Sequence, residues 1–574
     1  MSFLQLQQKN LVGDKKEKYA YMASSQWNAQ KKRSEQKRFY IGRLDADGTH
    51  IIISKRFAGN EKILVSINDI EDAVKDKFGF EPWLRNTCLE LSKNTATHQD
   101  KISHVHIVGD CHALIALSDD IGLSETLVTT FGTTEGNALL GLAMHQVATG
   151  HALYRAQDWL EQRSLPADMK SRMTGTGKVY DFMDQIGSDI TRRELFLKSW
   201  IQLHGDMETL VFDTTSISTY SPHLELAEWG YNRDNERLEQ INFSLAVQEK
   251  NSVPVYYRVI PGSIPDVKTL ENSVEFMEDL GMKIHAISLD RGFYSATNVR
   301  DILQRHVRVI IGVPWTSLQA QNVLKNNKHK LDTPKRSVHY HGIMLRHIIV
   351  PWTVNMGNNQ PSKIIHAHLF LDQNKRSVLV SHFEKTVFTI IEHAEQEIFK
   401  TVSEAKSWIG EHGGKYKKCL TVKQTCKDNF RVTRQPNKVA TLTRRMGYFI
   451  ILTSGIETEA KDPVTVLENY RARDKVEKLY DCLKNEDGQH RIRTGNENSA
   501  HGRFFLNFIA LIIRSELDKR MRKSTLRSRM TTARLLDELG KIKSVTTTSG
   551  KNILLEVTKK QRKLISSLDI KKIT

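Results

Sequence analysis

The chain has 574 residues, enough for about three or four domains and a large buried core. Lys and Arg outnumber Asp and Glu by 84 to 66, and the formal net charge of +18 favours a polyanionic partner, nucleic acid ahead of an anionic membrane surface. The longest apolar run, Phe504–Ile513, is about half a membrane span and continues into the polar Arg514–Lys523, which excludes a spanning protein. Five cysteines (Cys88, Cys111, Cys419, Cys426, Cys482) without a C-x2-C pair exclude a zinc knuckle and a disulfide scaffold. With the polar opening MSFLQLQQKNLVGDKKEKYA, which offers no secretion signal, this predicts a reduced, soluble, intracellular protein.

Taken in order, residues 1–37 are polar and basic, with KKRSEQKR at 31–38, and read as a loose arm or an edge strand. Phe39–Gly42 and His50–Ser54 read as strands around the turn Asp45-Ala46-Asp47-Gly48. A helix is expected over Ile67–Phe78 and a charged linker over Ser92–Lys101, and the block 104–164 is helical. This N-terminal region serves equally well as packing or as DNA-end recognition. No helix in it makes a convincing helix-turn-helix.

Helices continue over Asp168–His204, and then the apolar period changes to two. Glu208–Asp213 reads as a strand ending in an aspartate, and Ile241–Gln248 with Pro254–Ile260 as a hairpin. After a helix over Lys268–Leu280, the strand Lys283–Leu289 also ends at an aspartate, Asp290. Helix Ser295–His306 and strand Val307–Val313 follow. Residues 314–440 are too long for a loop and imply a domain. Its expected elements are the strands Gly342–Val350, Ile364–Leu371 and Val378–Ser381, a charged helix from Glu384 to about Gly410, and short basic strands. Tyr448–Thr453 is a further strand, Gly502–Arg522 a helical core segment, and Thr532–Gly540 with Thr558–Leu568 a lysine-rich helical tail.

The densest signal is the stretch 462–485, DPVTVLENYRARDKVEKLYDCLKN. Asp462 can cap a helix whose first residue is Pro463, and nothing in the sequence breaks the run before Asn485. At about 100° per residue, Tyr470, Arg473, Glu477 and Lys484 fall in a stripe roughly 60° wide, beside an apolar stripe of Ala472, Val476, Leu479, Tyr480 and Leu483. Such a stripe also suits a solvated face with i,i+4 pairs. Two strand-end aspartates and a helix glutamate are, however, the residue types for two hard divalent cations, Mg²⁺ or Mn²⁺, which take carboxylate oxygens and leave room for a phosphate. Singly, Asp213 and Asp290 also read as turn residues. His339, His341, His347, His366 and His368 form H-x-H pairs without a third ligand set, so no histidine metal site is expected, and core packing is the expected role of Trp315 and Trp352.

The spacing Y-x2-R-x3-E-x6-K resembles the signature in the last catalytic helix of one large branch of DDE insertion-sequence transposases, and the resemblance extends to VFDTTSIS around Asp213 and SLDRGFYS around Asp290. It spans most of residues 20–570. It implies an α/β fold with an RNase H-like catalytic core interrupted by a β-rich insertion domain, flanked by small basic α+β and helical N-terminal modules and a helical C-terminal tail. The expected division is 1–165 N-terminal, 166–313 first core part, 314–440 insertion, 441–525 second core part and 526–574 basic tail. Asp213, Asp290 and Glu477 would be the catalytic triad and hold two Mg²⁺ or Mn²⁺ ions, with Tyr470, Arg473, Lys484 and Arg291 against DNA. The implied activity is metal-dependent cleavage at the ends of a mobile element and strand transfer by the freed 3′-OH. The implied partners are double-stranded DNA, as terminal inverted repeats and target, and a second protomer in a synaptic complex. Such an enzyme would work in the prokaryotic cytoplasm, at the nucleoid. The alternatives are a silent transposase-derived DNA-binding protein and a stand-alone RNase H-like nuclease.

Overall fold

The computed structural model describes residues 2–10, 16–59, 62–75, 79–95, 102–171, 176–204, 206–207, 209–234, 236–357, 360–426, 429–455, 461–486, 488, 490–571 and 573. The chain forms two compact units, residues 1–104 with 545–553 and residues 105–544 with 554–574. In the first unit, five antiparallel strands follow one another in chain order: Ser2–Asn10, Lys16–Asn28, Arg33–Leu44, His50–Ile53 and Leu64–Ser66. The N-terminal segment is thus a full sheet rather than a loose arm. Ala20 and Met22 alternate inward and, with Ile41, Ile51 and Val65, bury against Ile70 and Leu84 of the two helices that follow. At the expected turn, Asp45 Oδ1 accepts the N–H groups of Thr49 and His50, and Gly48 adopts φ 71°.

The second unit is built on one long sheet. Its strands are β1 (Leu210–Thr219), β2 (Gln240–Gln248), β3 (Pro254–Pro261), β4 (Ala286–Leu289), β5 (Arg308–Gly312), β6 (Ser337–Tyr340), β7 (Ile343–Val354), β8 (Lys363–Asp372), β9 (Tyr448–Thr453) and β10 (Arg491–Ile492). The spatial order is β3-β2-β1-β4-β5-β9-β8-β7-β6, with β10 beside the far end of β1. Strands β4 and β10 run parallel to β1, and β5 runs parallel to β4, whereas β2 and β9 pair antiparallel with β1 and β5.

Two expectations are corrected here. Strand β1 does not end at Asp213 but runs on through Thr219, every residue buried. Its polar second half is satisfied from both sides: Thr214 Oγ1 meets Ser244 Oγ at 2.8 Å, and Thr219 donates to the Ile492 carbonyl at 3.0 Å. Val378–Ser381 is not a strand but lies inside the helix Gln373–Glu395, whose cap Asp372 accepts the N–H of Lys375. The cap and the inward Phe383, Val387 and Ala394 at helical spacing override the β-propensity of V-L-V, and Val378 is left exposed. The remainder of that segment, with helix Val402–His412 and the hairpin Leu420–Cys426 and Asn429–Arg434, closes a small core of its own around Phe383, Phe399, Ile409 and Val432.

Two further helices set the centre of the unit: α1 (Thr176–Ser188) and α2 (Glu497–Lys523). The run Phe504–Ile513 is apolar on every side because the helix is buried on every side, with Phe504 stacked on Phe243 at 5.3 Å. No helix among the described residues is long and apolar enough to cross a membrane. Where α1 and α2 cross, a Cβ on Gly502 would run into the Met183 carbonyl and one on Gly187 into the Asn498 carbonyl. Backbone cannot rotate away as a side chain can, so Gly502→Ala should lose more by overpacking, about 1–3 kcal/mol, than the roughly 1 kcal/mol it gains in helix propensity. The expected result is a lower urea midpoint for this variant; a higher midpoint would contradict the close crossing.

Candidate active site

Asp462 caps the helix as its sequence requires, accepting the Thr465 N–H at 2.8 Å with Pro463 in the first position. The expected single helix to Asn485 is nevertheless two: α3 (Pro463–Arg471) and α4 (Asp474–Asp481), followed by a wide π turn over Cys482–Glu486. At the junction the Val476 N–H reaches the Arg473 carbonyl, three residues back, in a tightened turn. A stripe drawn on an ideal helix does not survive a tight turn followed by a wide one. Tyr470, Arg473 and Glu477 stay together, whereas Lys484 is turned inward, buried, with Nζ 2.6 Å from Asp234 Oδ2.

Strand register brings the two aspartates side by side. Leu289 pairs with Phe212 across the parallel β1–β4 ladder, so Asp290, still extended at φ −70° and ψ 161°, follows beside Asp213. Neighbouring strands lie about 4.8 Å apart. Asp290 Oδ1 accepts the Tyr470 hydroxyl at 3.3 Å and an N–H from Arg473 Nη1. The same guanidinium lies over the Tyr470 ring at 4.7 Å and sets its Nη2 3.9 Å from Glu477 Oε1. Arg473 therefore joins Asp290 to Glu477. The Tyr470 hydroxyl fits only because Gly312 has no Cβ, which would collide with it. Arg291, exposed, follows Asp290 on a single turn of 3₁₀ helix, with its Cβ also against Gly312; burial pushes the Tyr470 phenol up to about 12, and the Arg291 charge opposes that rise.

Four residues at the site, Arg233, Asp266, Asp234 and Asn232, were not singled out in the sequence, and Tyr480 was placed only on the apolar stripe. Arg233, from the loop between β1 and β2, sets Nη1 3.6 Å from Asp213 Oδ1 and Nη2 2.6 Å from Asp266 Oδ2. Its neighbour Asp234 takes Lys484, and Asn232 ties the loop to the Ser218 hydroxyl. Nothing in the string Tyr231-Asn232-Arg233-Asp234 distinguishes it from an ordinary turn, whereas Pro265-Asp266 is a legible helix start. Tyr480 pins the Asp213 backbone, donating to its carbonyl at 2.7 Å.

Two of the five histidines, His347 and His368, are buried. His347 and His368 are stacked on neighbouring strands, hydrogen-bonded at 3.0 Å, and His368 continues to Thr453. Burial holds His347 down at about 3, so it is neutral. Trp352 is buried in the core and Trp315 packs against it.

Burial pushes the Asp213 carboxyl up to about 6, and Asp266 and Glu477 add to the rise, against Arg233 and the Thr214 N–H. Among the described residues no group of three or more His, Cys, Asp or Glu is assembled as a metal cage. The donor chemistry of Asp213, Asp290 and Glu477 still fits a hard divalent cation: oxygen donors only, two of them adjacent in register, with Asp213 raised where added positive charge would lower it. Because the folded protein holds this proton more tightly than the unfolded chain, stability falls as pH rises from about 4 to about 6 and stays low above that. In EDTA at neutral pH, Asp213→Asn should therefore be more stable than wild type by up to roughly 3 kcal/mol, the two converging near pH 4. A thermal-unfolding series in pH checks this; a less stable variant at pH 7 would contradict the raised carboxyl.

Comparison with known proteins adds three findings. No curated protein matches the chain. A solved structure, the cryo-EM synaptic complex of piggyBac transposase with hairpin DNA, is similar at 11% identity and a TM-score of 0.33, covering 71% of this chain and 70% of that one. The family model for the transposase DDE domain matches residues 204–513, more than half the chain and the whole span from β1 to the middle of α2. This chain belongs to the transposase DDE domain family.

Proposed function

We propose that the chain is a catalytically competent transposase, cutting DNA at the ends of a mobile element and joining the freed 3′-OH to target DNA, with Asp213, Asp290 and Glu477 as the working carboxylates. The observation that carries this reading is the convergence at the C-terminal edge of β4, in the middle of the sheet: Asp290 follows the residue paired to Phe212, and Arg473 links Asp290 to Glu477. We read the strand order β3-β2-β1-β4-β5, with β2 alone reversed among the pairs flanking β1, as an RNase H-like core. Residues 314–440 then form the insertion, whose strands β6, β7 and β8 continue the core sheet through β9.

In this reading Asp213, Asp290 and Glu477 would hold Mg²⁺ or Mn²⁺, two ions in all. When bound, such ions stabilise developing charge on a phosphoryl group in in-line displacement. The protein's own contribution is positioning. Tyr480 and the β1–β2 ladder fix the Asp213 backbone, so its carboxylate is held rather than searching. Arg473 presents a planar fork at the same edge and Tyr470 a hydroxyl, both suited to phosphate oxygens, with Arg291 exposed beside them. Lys484 acts at one remove in this arrangement: its partner Asp234 adjoins Arg233, so it positions the loop that balances Asp213.

The substrate is double-stranded DNA, as terminal inverted repeats and target, approached by a chain of net charge +18. Two protomers would pair two element ends in a synapse. Such chemistry requires access to the chromosome, and we infer a prokaryotic cell with the protein at its nucleoid. The test is nicking of end-labelled DNA cloned from both flanks of the gene, where this reading expects inverted repeats, with a gel shift in parallel. Wild type should nick only with Mg²⁺ or Mn²⁺. Glu477→Ala should lose nicking by a factor on the order of 10³ while binding the same DNA within a few-fold, since binding rests on the basic surfaces. Full nicking by the variant would remove Glu477 from the reaction, and binding without any nicking by wild type would favour the silent DNA-binding alternative.

A further inference from the structure

Arg503, in the second turn of α2, is 8% exposed, yet no carboxylate pairs with it among the described residues. Its Nη1 donates to the Arg493 backbone carbonyl at 2.7 Å. Burial, with the neighbouring Arg493 cation, holds its pKa below the usual arginine value. A buried guanidinium beside a second cation is costly unless an anion joins them.

Space for that anion adjoins it. A pocket of about 650 Å³ is lined by Arg503, Arg493, Arg491, Glu236, Tyr154 and Tyr180 among others. Glu236 does not neutralise Arg503 or Arg493, because Arg491 grips it with both Nε, at 3.3 Å, and Nη2, at 2.5 Å. Arg493 is exposed and has no ion-pair partner among the described residues. Tyr154 and Tyr180 are about half exposed, and guanidinium groups lie over Tyr154 and the neighbouring Tyr220 at 5.6 and 4.9 Å. Arg503 and Arg493, both without a carboxylate among the described residues, line the same pocket as the half-exposed rings of Tyr154 and Tyr180, which suits a phosphodiester strand whose phosphates take the cations and whose bases lie against the rings.

The pocket has a fixed relation to the candidate catalytic carboxylates. Strand β10, which carries Arg491, pairs with β1 at Ser218–Thr219. That point lies five residues along β1 from Asp213, about 16 Å at the usual rise of a strand. The same length is about five base-pair steps of duplex DNA. We propose that Arg503 and Arg493 form a phosphate-binding site for the DNA strand running from the candidate catalytic carboxylates, taking a phosphate about five nucleotides from the scissile one. The inference rests on the reading of this chain as a DNA-cutting enzyme.

The experiment is binding of a short mixed-sequence DNA duplex by the full chain across a KCl series, for wild type, Arg493→Ala and Arg503→Gln. Each substitution should weaken binding by about tenfold at low salt and flatten the log K against log salt slope by about 0.9, the loss of one phosphate contact. Arg493 is exposed, so its variant keeps the test open if Arg503→Gln fails to fold. Steep wild-type salt dependence with an unchanged slope in Arg493→Ala would overturn the site and leave the transposase reading standing. A flat wild-type slope would overturn both. Stabilisation of wild type but not of Arg493→Ala by inorganic phosphate, at constant ionic strength and with the DNA slope unchanged, would assign the pocket to a free anion and overturn the DNA site.

Discussion

Carboxylates gathered where β4 ends, in the middle of a buried sheet, repel one another, and the architecture around β1 and β4 is an answer to that repulsion. Two arginines supply it from opposite directions. Arg233 comes from the β1–β2 loop and faces Asp213 and Asp266, and Arg473 comes from the α3–α4 junction and ties Asp290 to Glu477. Neither arginine has another carboxylate to serve among the described residues. The charge balance therefore locks a loop and a helix junction to the same few residues, and each element is oriented by the acids it neutralises.

Much of this was legible in the sequence. Short runs rich in β-branched and aromatic residues located β2, β3, β5 and β9 almost to the residue, because strands buried on both faces are apolar nearly throughout and end where the turn residues begin. The cap at Asp462, the helix beginning at Ser295 and the buried α2 were equally clear, each resting on local chemistry. What failed to show was whatever depends on partners distant in the chain. The continuation of β1 past Asp213 needs β2 and β10 to satisfy Thr214 and Thr219. The splitting of the helix at Arg473 comes where its guanidinium meets Asp290, 183 residues earlier in the chain. Lys484 stood on the right stripe for an ideal helix and left it through the π turn, toward an Asp234 that no pattern advertises.

The site is also held by an absence of side chain. Gly312, at the end of β5, leaves room for the Tyr470 hydroxyl, which in turn donates to Asp290 and accepts from Arg473. A three-member hydrogen-bond chain thus depends on one missing methyl group. Gly502 and Gly187 do the corresponding work for the helices, letting backbones meet where any side chain would hold them apart.

The sheet order carries a consequence for how the chain is made. Strand β9 lies between β5 and β8, hydrogen-bonded to both, although it is the last of the three to leave the ribosome. Until it arrives, β5 and β8 each present an unpaired edge, and the small core around Phe383 and Val432 is free to close first. The sheet is completed by a strand entering its middle, so emerging chains hold two sticky edges open through the synthesis of β6, β7, β8 and the helices that follow. Slow translation across that stretch would therefore favour pairing between nascent copies over correct closure within one.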